Sequence, residues 1–294
     1  MDRQPIQLYN WWKRPITGEL RPIRLGKKPR RFDPRTLQLK RYLSPALPPP
    51  PIEINYGQHL PVLGMMLNDN LGDCIIAAPG HGIQVWTYTT RGEVTVSDAQ
   101  IEGLYENWCG YVPGNPSTDQ GGVILDIMNN WRQQGFAGEP LDGYAAVHIG
   151  GDSSIQIFDR DVQTAIWLFG GINVGLQLPL RAQNQQVWQI PTVQDSSDQP
   201  GSWGGHDVWI VGYTPKTLMC ITWGTLMMMT WGWFLTYCDE AYAPFSRLWM
   251  NKNKVAPVSG FDWATLEADL EIVSTLKRWR RSAVSGGLRW QTKR

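Results

Sequence analysis

The sequence predicts an α+β protein with a helical lobe followed by a β lobe and an extended N-terminal arm. Three observations carry this. Apolar residues recur at helical spacing through the first half of the body and at strand spacing in the half that follows. Residues 1–58 are rich in proline and basic residues and show neither period. A chain of 294 residues is long enough to bury a core in each of two lobes.

The arm comes first. Pro5, Pro15, Pro22, Pro29 and Pro34 punctuate it, and PALPPPPIEI at 45–54 closes it. Such runs favour extended, semi-rigid chain, which has no core of its own and must lie on something. The body spans 59–250, with the helical lobe at about 59–150 and the β lobe at about 151–250; residues 251–294 hold a last helix and a basic tail. A helix starting at Cys74 is expected to bend at Pro79, whose missing N–H leaves one carbonyl without its donor. SDAQIEGLYENW (97–108) reads as a helix capped by Ser97. GGVILDIMNNWRQQ (121–134) puts Ile124, Ile127, Met128 and Trp131 on one face and stops at Gly135. Residues 157–170 give a further helix, with Val162, Ala165, Ile166 and Phe169 on its apolar face.

Then the period changes. GINVGLQLP (171–179) and HDVWIVGYT (206–214) read as strands, and the segments flanking Gly224 as a hairpin. Residues 261–276 return to an amphipathic helix marked by Trp263, Leu266, Leu270 and Val273. The stretch 220–238 has the length of a membrane span, but its threonines and interspersed glycines fit strand–turn–strand, so no span is predicted.

The net charge of +1 hides an asymmetry. Residues 1–41 carry 12 basic and 3 acidic residues, residues 277–294 carry 7 basic and none acidic, and the body between them carries 8 basic and 23 acidic. Basic ends on an acidic body attract each other or an acidic partner surface. No nucleic-acid-binding motif is present, so nucleic acid is not an expected partner. The first 30 residues lack the apolar core of a secretory signal, which points to the cytoplasm, or to a virion. Cys74, Cys109, Cys220 and Cys238 show no C-x-x-C spacing, so no structural zinc, other metal or cofactor is predicted, and free thiols fit a reducing compartment.

LNDNLGDCIIAA (67–78) places Cys74 where polar loop turns into apolar helix. A helix N-terminus and a nearby imidazolium both stabilise a thiolate. Four histidines could supply the imidazole: His59, His81, His148 and His206. His206 has the best setting, WGGHDVWIVGY (203–213): it opens an apolar strand, and Gly204 and Gly205 let another backbone come close. His81 reads as a packing or surface residue.

GDCIIAA, then GGHDVWIVGY, then ITWGTLMMMTWGWF resembles the papain-like cysteine peptidases, in which a helix-starting cysteine, an H-A-V-x-x-V-G-Y strand and an N-S-W-G turn follow in this order. DQGGVILDIMNNWRQQGF (119–136) is similar to that family's Gly-Gly segment beside the substrate cleft. The resemblance covers about 59–250 and is nearest to a divergent bacterial and phage branch with an N-D-x-x-G-D-C flank. It implies a two-lobed papain-like fold, its second lobe an antiparallel, barrel-like sheet. It implies Cys74 as nucleophile, His206 as base and Asn68 as oxyanion donor, with Gly121, Gly122, Gly205 and Trp223 lining the cleft. By the turn, Ile221 falls where the family has its orienting asparagine; by spacing from the histidine, Thr222 does. Ile75 stands in place of an aromatic residue, and the family's disulfides have no counterparts here.

The implied function is hydrolysis of a peptide or amide bond in a protein or peptide substrate. The alternative is a papain-fold structural protein of a larger assembly, such as a phage virion component, with the arm 1–58 as its contact. Acyl transfer uses the same nucleophile, and nothing in the sequence selects it. The arm either inhibits by lying across the acidic body or assembles.

Overall fold

Small residues on every side let one helix sit inside the protein. CIIAAPGHGIQVWTYTT forms α1 (Cys74–Thr90), and all of its residues but Tyr88 and Thr89 are buried. Pro79 lies within α1, and the helix runs on through it as one element. Packing on all faces holds the turn that the lost N–H weakens.

The computed structural model describes residues 10–13, 18–148, 155–252 and 260–273. The basic tail 277–294 lies outside the described residues, as does the end of the helix expected at 261–276; its described part is helical over 263–273. α2 (Asp98–Cys109) starts at Ser97, whose hydroxyl accepts from Gln100 N while the Gln100 side chain accepts from Ser97 N. α3 (Ile124–Gln134) ends at Gly135, with φ 77°. α4 (Ile155–Phe169) completes the run of longer helices ahead of the main strands.

The strands of one sheet follow the order β4 (Gly143–Ala146), β10 (Cys238–Phe245), β5 (Ile172–Leu178), β7 (Gly204–Tyr213), β8 (Thr217–Thr222), β9 (Thr225–Thr230), β6 (Val187–Trp188), with β3 (Ile54–Asn55) added to β7. Every pairing is antiparallel except β6 with β9, and the path is open rather than closed on itself. α5 (Trp231–Tyr237) and α6 (Arg247–Lys252) flank β10. The stretch 220–238 divides between β8, β9 and α5 and ends on the first residue of β10, and no described helix is long and apolar enough to cross a membrane.

The arm is extended chain that pairs with itself before it meets the body. Leu20–Ile23 (β2) pairs antiparallel with Asn10–Lys13 (β1) as a two-stranded sheet, and Trp12 and Ile23 are fully buried. The arm does not build a core alone; it joins the body's.

α1 packs on β7 where Gly82 faces the buried Trp209. This contact sets the middle of α1 against the middle of β7. A Cβ at Gly82 would lie 2.6 Å from the Trp209 ring, which Trp86 holds edge-on from another side. Gly82→Ala gains about 1 kcal/mol of helix propensity and loses about 1–3 kcal/mol to overpacking. Because the ring is boxed in, the steric term wins: denaturant titration should find the variant less stable at unchanged m-value.

Candidate active site

Cys74 is the first residue of α1, with Asp73 at the cap position. The amides of a first helical turn favour a thiolate. Burial opposes them and wins. Cys74 is 1 % exposed, and burial, then the Asp207 carboxyl, push its thiol well above the ordinary value. Backbone hydrogen bonds from Asp207 and Gly26 to the sulfur work against that rise. Asp73 and Asp207 are themselves buried, and burial raises both well above the carboxylate range. That favours their protonated forms. Asn173 Nδ2 donates to both Asp207 oxygens, at 2.8 and 3.0 Å.

His206 lies near the start of β7 and is completely buried. Its Nε2 meets Thr222 Oγ1 at 2.7 Å. Of the two positions left open by the sequence, Thr222 therefore faces the imidazole, while Ile221 pairs with Trp209 across the ladder. Trp223 stacks on His206 with ring centroids 4.3 Å apart and an interplanar angle of 21°. The TWGT segment explains this placement. Thr222 and Thr225 pair at the end of the hairpin, leaving a two-residue turn with φ 44° at Trp223 and 67° at Gly224. Left-handed backbone costs a tryptophan about 1–2 kcal/mol. Packing of the indole against His206, Trp12, Trp188 and Trp203 offsets it.

Burial lowers the His206 imidazole to about 3. Its Nδ1 has no hydrogen-bond partner. Cys74 and His206 therefore meet around Asp207, with no hydrogen bond between thiol and imidazole.

The arm runs between the Gly121–Gly122 segment and Gly205. Gly122 N donates to Gly26 O at 2.9 Å, and Lys28 N donates to Gly122 O at 2.8 Å, a parallel bridge. On the opposite wall Lys27 N donates to Gly205 O at 3.2 Å. Glycines make this fit possible. A Cβ at Gly26 would lie 1.6 Å from Gly72 O, one at Gly121 1.8 Å from Gly26 O, and one at Gly205 2.3 Å from Lys27 O. Gly121, Gly122 and Gly205 thus line a groove, and the arm occupies it.

Asn68 is tied to the same segment. Its Nδ2 donates to Arg24 O at 3.2 Å and Leu71 O at 3.0 Å, and its backbone carbonyl accepts from Arg24 N. Beside the groove, the Lys27 side chain is fully buried, with Nζ 2.8 Å from Asp239 Oδ2 and 3.2 Å from Glu240 Oε1. Burial lowers the Lys27 pKa, and Glu240 and Asp239 together reverse that, for a net rise. Glu240 also rises, because its burial outweighs the attraction of an ammonium shared with Asp239. A cavity of about 290 Å³ lies beyond Asp239 and Glu240, lined also by Arg30, Arg31 and His148, rather than over Cys74.

Sequence reading missed Gly26, Lys27, Asp207, Asp239 and Glu240. The usable signal was LGKK at 25–28 set against the adjacent acids of CDEAY at 238–242. His81 is buried in α1, 3.4 Å from Gln84 Oε1 and remote from these contacts.

No family model and no curated protein matches the sequence. Solved structures do match in fold. Xylellain, a cysteine protease from Xylella fastidiosa, is similar with a TM-score of 0.54 and 16 % identity, over 81 % of this chain and 98 % of that one. A cysteine protease of Carica candamarcensis gives 0.47 and 12 % over 67 % and 99 %, and bromelain from Ananas comosus 0.43 and 13 % over 66 % and 98 %. The chain has the papain-like α+β fold.

Burial lowers His81 to about 4 and His206 to about 3, from an ordinary 6.5. Below 6.5 the unfolded chain takes up protons at these rings and the folded chain does not, so both rings destabilise the fold as pH falls through that window. NMR of the native chain should find both imidazoles neutral from pH 8 down through 6.5 towards 4.

Proposed function

We propose that the chain is a papain-fold cysteine hydrolase whose groove is closed by its own arm. One observation carries the reading: Cys74 begins α1 against the start of β7, where Thr222 and Trp223 hold the His206 ring from two sides. With the groove open, the Cys74 thiolate attacks an amide carbonyl and His206 holds the proton taken from sulfur. The oxyanion accepts from the Cys74 backbone N–H and from Asn68 Nδ2, whose proton now goes to Arg24 O. His206 returns its proton to the leaving amine, and water hydrolyses the thioester. Thr222 Oγ1 is the positioning group for His206.

The closed groove accounts for the uncharged thiol and imidazole. Removing water takes away what stabilises a thiolate–imidazolium pair, and both pKa directions follow from that. Lys27 and Gly122 pair in parallel, which lays the arm in one fixed direction across the nucleophile.

A structural role in an assembly, such as a virion, is the second reading. The unpartnered Nδ1 of His206 and the burial of arm residue Trp12 in the Trp223 cluster favour it.

Intact-mass labelling with an epoxysuccinyl peptide separates the two. The native chain should give no adduct. Lys27→Glu sets a carboxylate against Asp239 and Glu240 and should free the arm, giving one adduct that is lost when Cys74→Ala or His206→Ala is added. A folded Lys27→Glu chain that iodoacetamide alkylates at Cys74, yet that forms no epoxysuccinyl adduct, would establish the structural reading.

A further inference from the structure

We infer that the pocket now holding Lys27 is the specificity pocket of this groove, and that it selects a substrate peptide carrying a basic side chain next to the residue held over Cys74. The inference rests on the hydrolase reading above. It starts from what the pocket offers. Asp239 Oδ2 and Glu240 Oε1 lie 2.8 and 3.2 Å from the Lys27 ammonium, and the Lys28 carbonyl lies at 3.4 Å. Asp239 Oδ1 has no hydrogen-bond partner although buried, so the pocket has an acceptor to spare for a guanidinium as well as an ammonium.

The remaining contacts hold the two acids in place. Gln177 Nε2 donates to Asp239 Oδ2 at 2.7 Å, and Tyr242 Oη donates to Glu240 Oε2 at 3.0 Å. The wall is cut to a long unbranched stem: a Cβ at Gly175 would lie 2.2 Å from Lys27 Cε. Two acids brought together in a buried site without a cation repel each other and lack solvation. A substrate without a basic group leaves them so.

The position in the groove makes this a substrate pocket rather than a structural ion pair alone. Gly26, the neighbour of Lys27, bonds through its backbone to the Cys74 sulfur, as Asp207 does. Gly122 and Gly205 bond the backbone on either side of it. A peptide replacing the arm would inherit the same walls and the same acidic recess.

The test uses the full chain carrying Lys27→Ala, which empties the recess. The first probe is n-propylammonium, which replaces the deleted atoms, against n-propanol as the neutral control, read by thermal shift. The second is labelling by epoxysuccinyl peptides with lysine, leucine or glutamate at that position. Stabilisation by the amine alone, with lysine labelling faster than leucine and glutamate by at least about tenfold, supports the inference. Equal labelling by lysine and leucine peptides overturns it. If no peptide labels, the hydrolase reading fails, and the amine shift decides the pocket separately: no shift, or an equal shift with propanol, overturns it. Should Lys27→Ala not fold alone, refolding with n-propylammonium but not n-propanol supports the pocket, and refolding with neither overturns it.

Discussion

The resting arrangement depends on one buried cation. The Lys27 side chain is wholly shielded from water, and its ammonium stays charged because Asp239 and Glu240 face it at 2.8 and 3.2 Å. Leaving a buried charge without its partner costs about 3–5 kcal/mol. Each backbone hydrogen bond from the arm to Gly122 or Gly205 is worth about 1 kcal/mol net. Losing the Lys27 cation therefore costs more than losing any single backbone bond of the arm. The basic arm also meets the acidic body through Arg31 with Asp126 and Arg41 with Asp269.

The chemistry of the groove follows from that anchor. With Lys27 fixed, Gly26 must cross Cys74 at a distance no other residue tolerates, since its Cβ would overlap Gly72 O. The crossing excludes water from sulfur and imidazole alike. Burial then pushes the thiol up and the imidazole down, towards an uncharged pair. Those directions belong to the closed state. They result from the arm's presence as much as from the residues that would do the chemistry.

Local patterns were the most legible part of the sequence. Ser97 at the start of α2, Gly135 at the end of α3 and the TWGT hairpin each act through their own neighbours, and each lies where its residue types put it. Pro79 was read as a bend in α1; the helix continues through it as one element, because the cost of the proline is local while the packing that tolerates it comes from the whole core. At the site, His206 and Thr222 were within reach because their separation in the hairpin fixes their contact. The arm was not. Its pairing partners Asn68, Gly122, Gly205 and Asp239 lie far along the chain, and extended proline-bearing chain has no period that announces where it docks. The same applies to Asp207 and Glu240, whose burial arises only when β5, β7 and β10 assemble.

Hydrogen exchange measured by mass spectrometry on peptides covering 24–28 and 120–124, in the native chain and in Lys27→Ala, tests the central claim most directly. An arm held by its buried cation predicts strong protection of both segments in the native chain and loss of protection in both together in the variant, with α1 unchanged. Fast exchange of 24–28 in the native chain, or protection that survives Lys27→Ala, would contradict it.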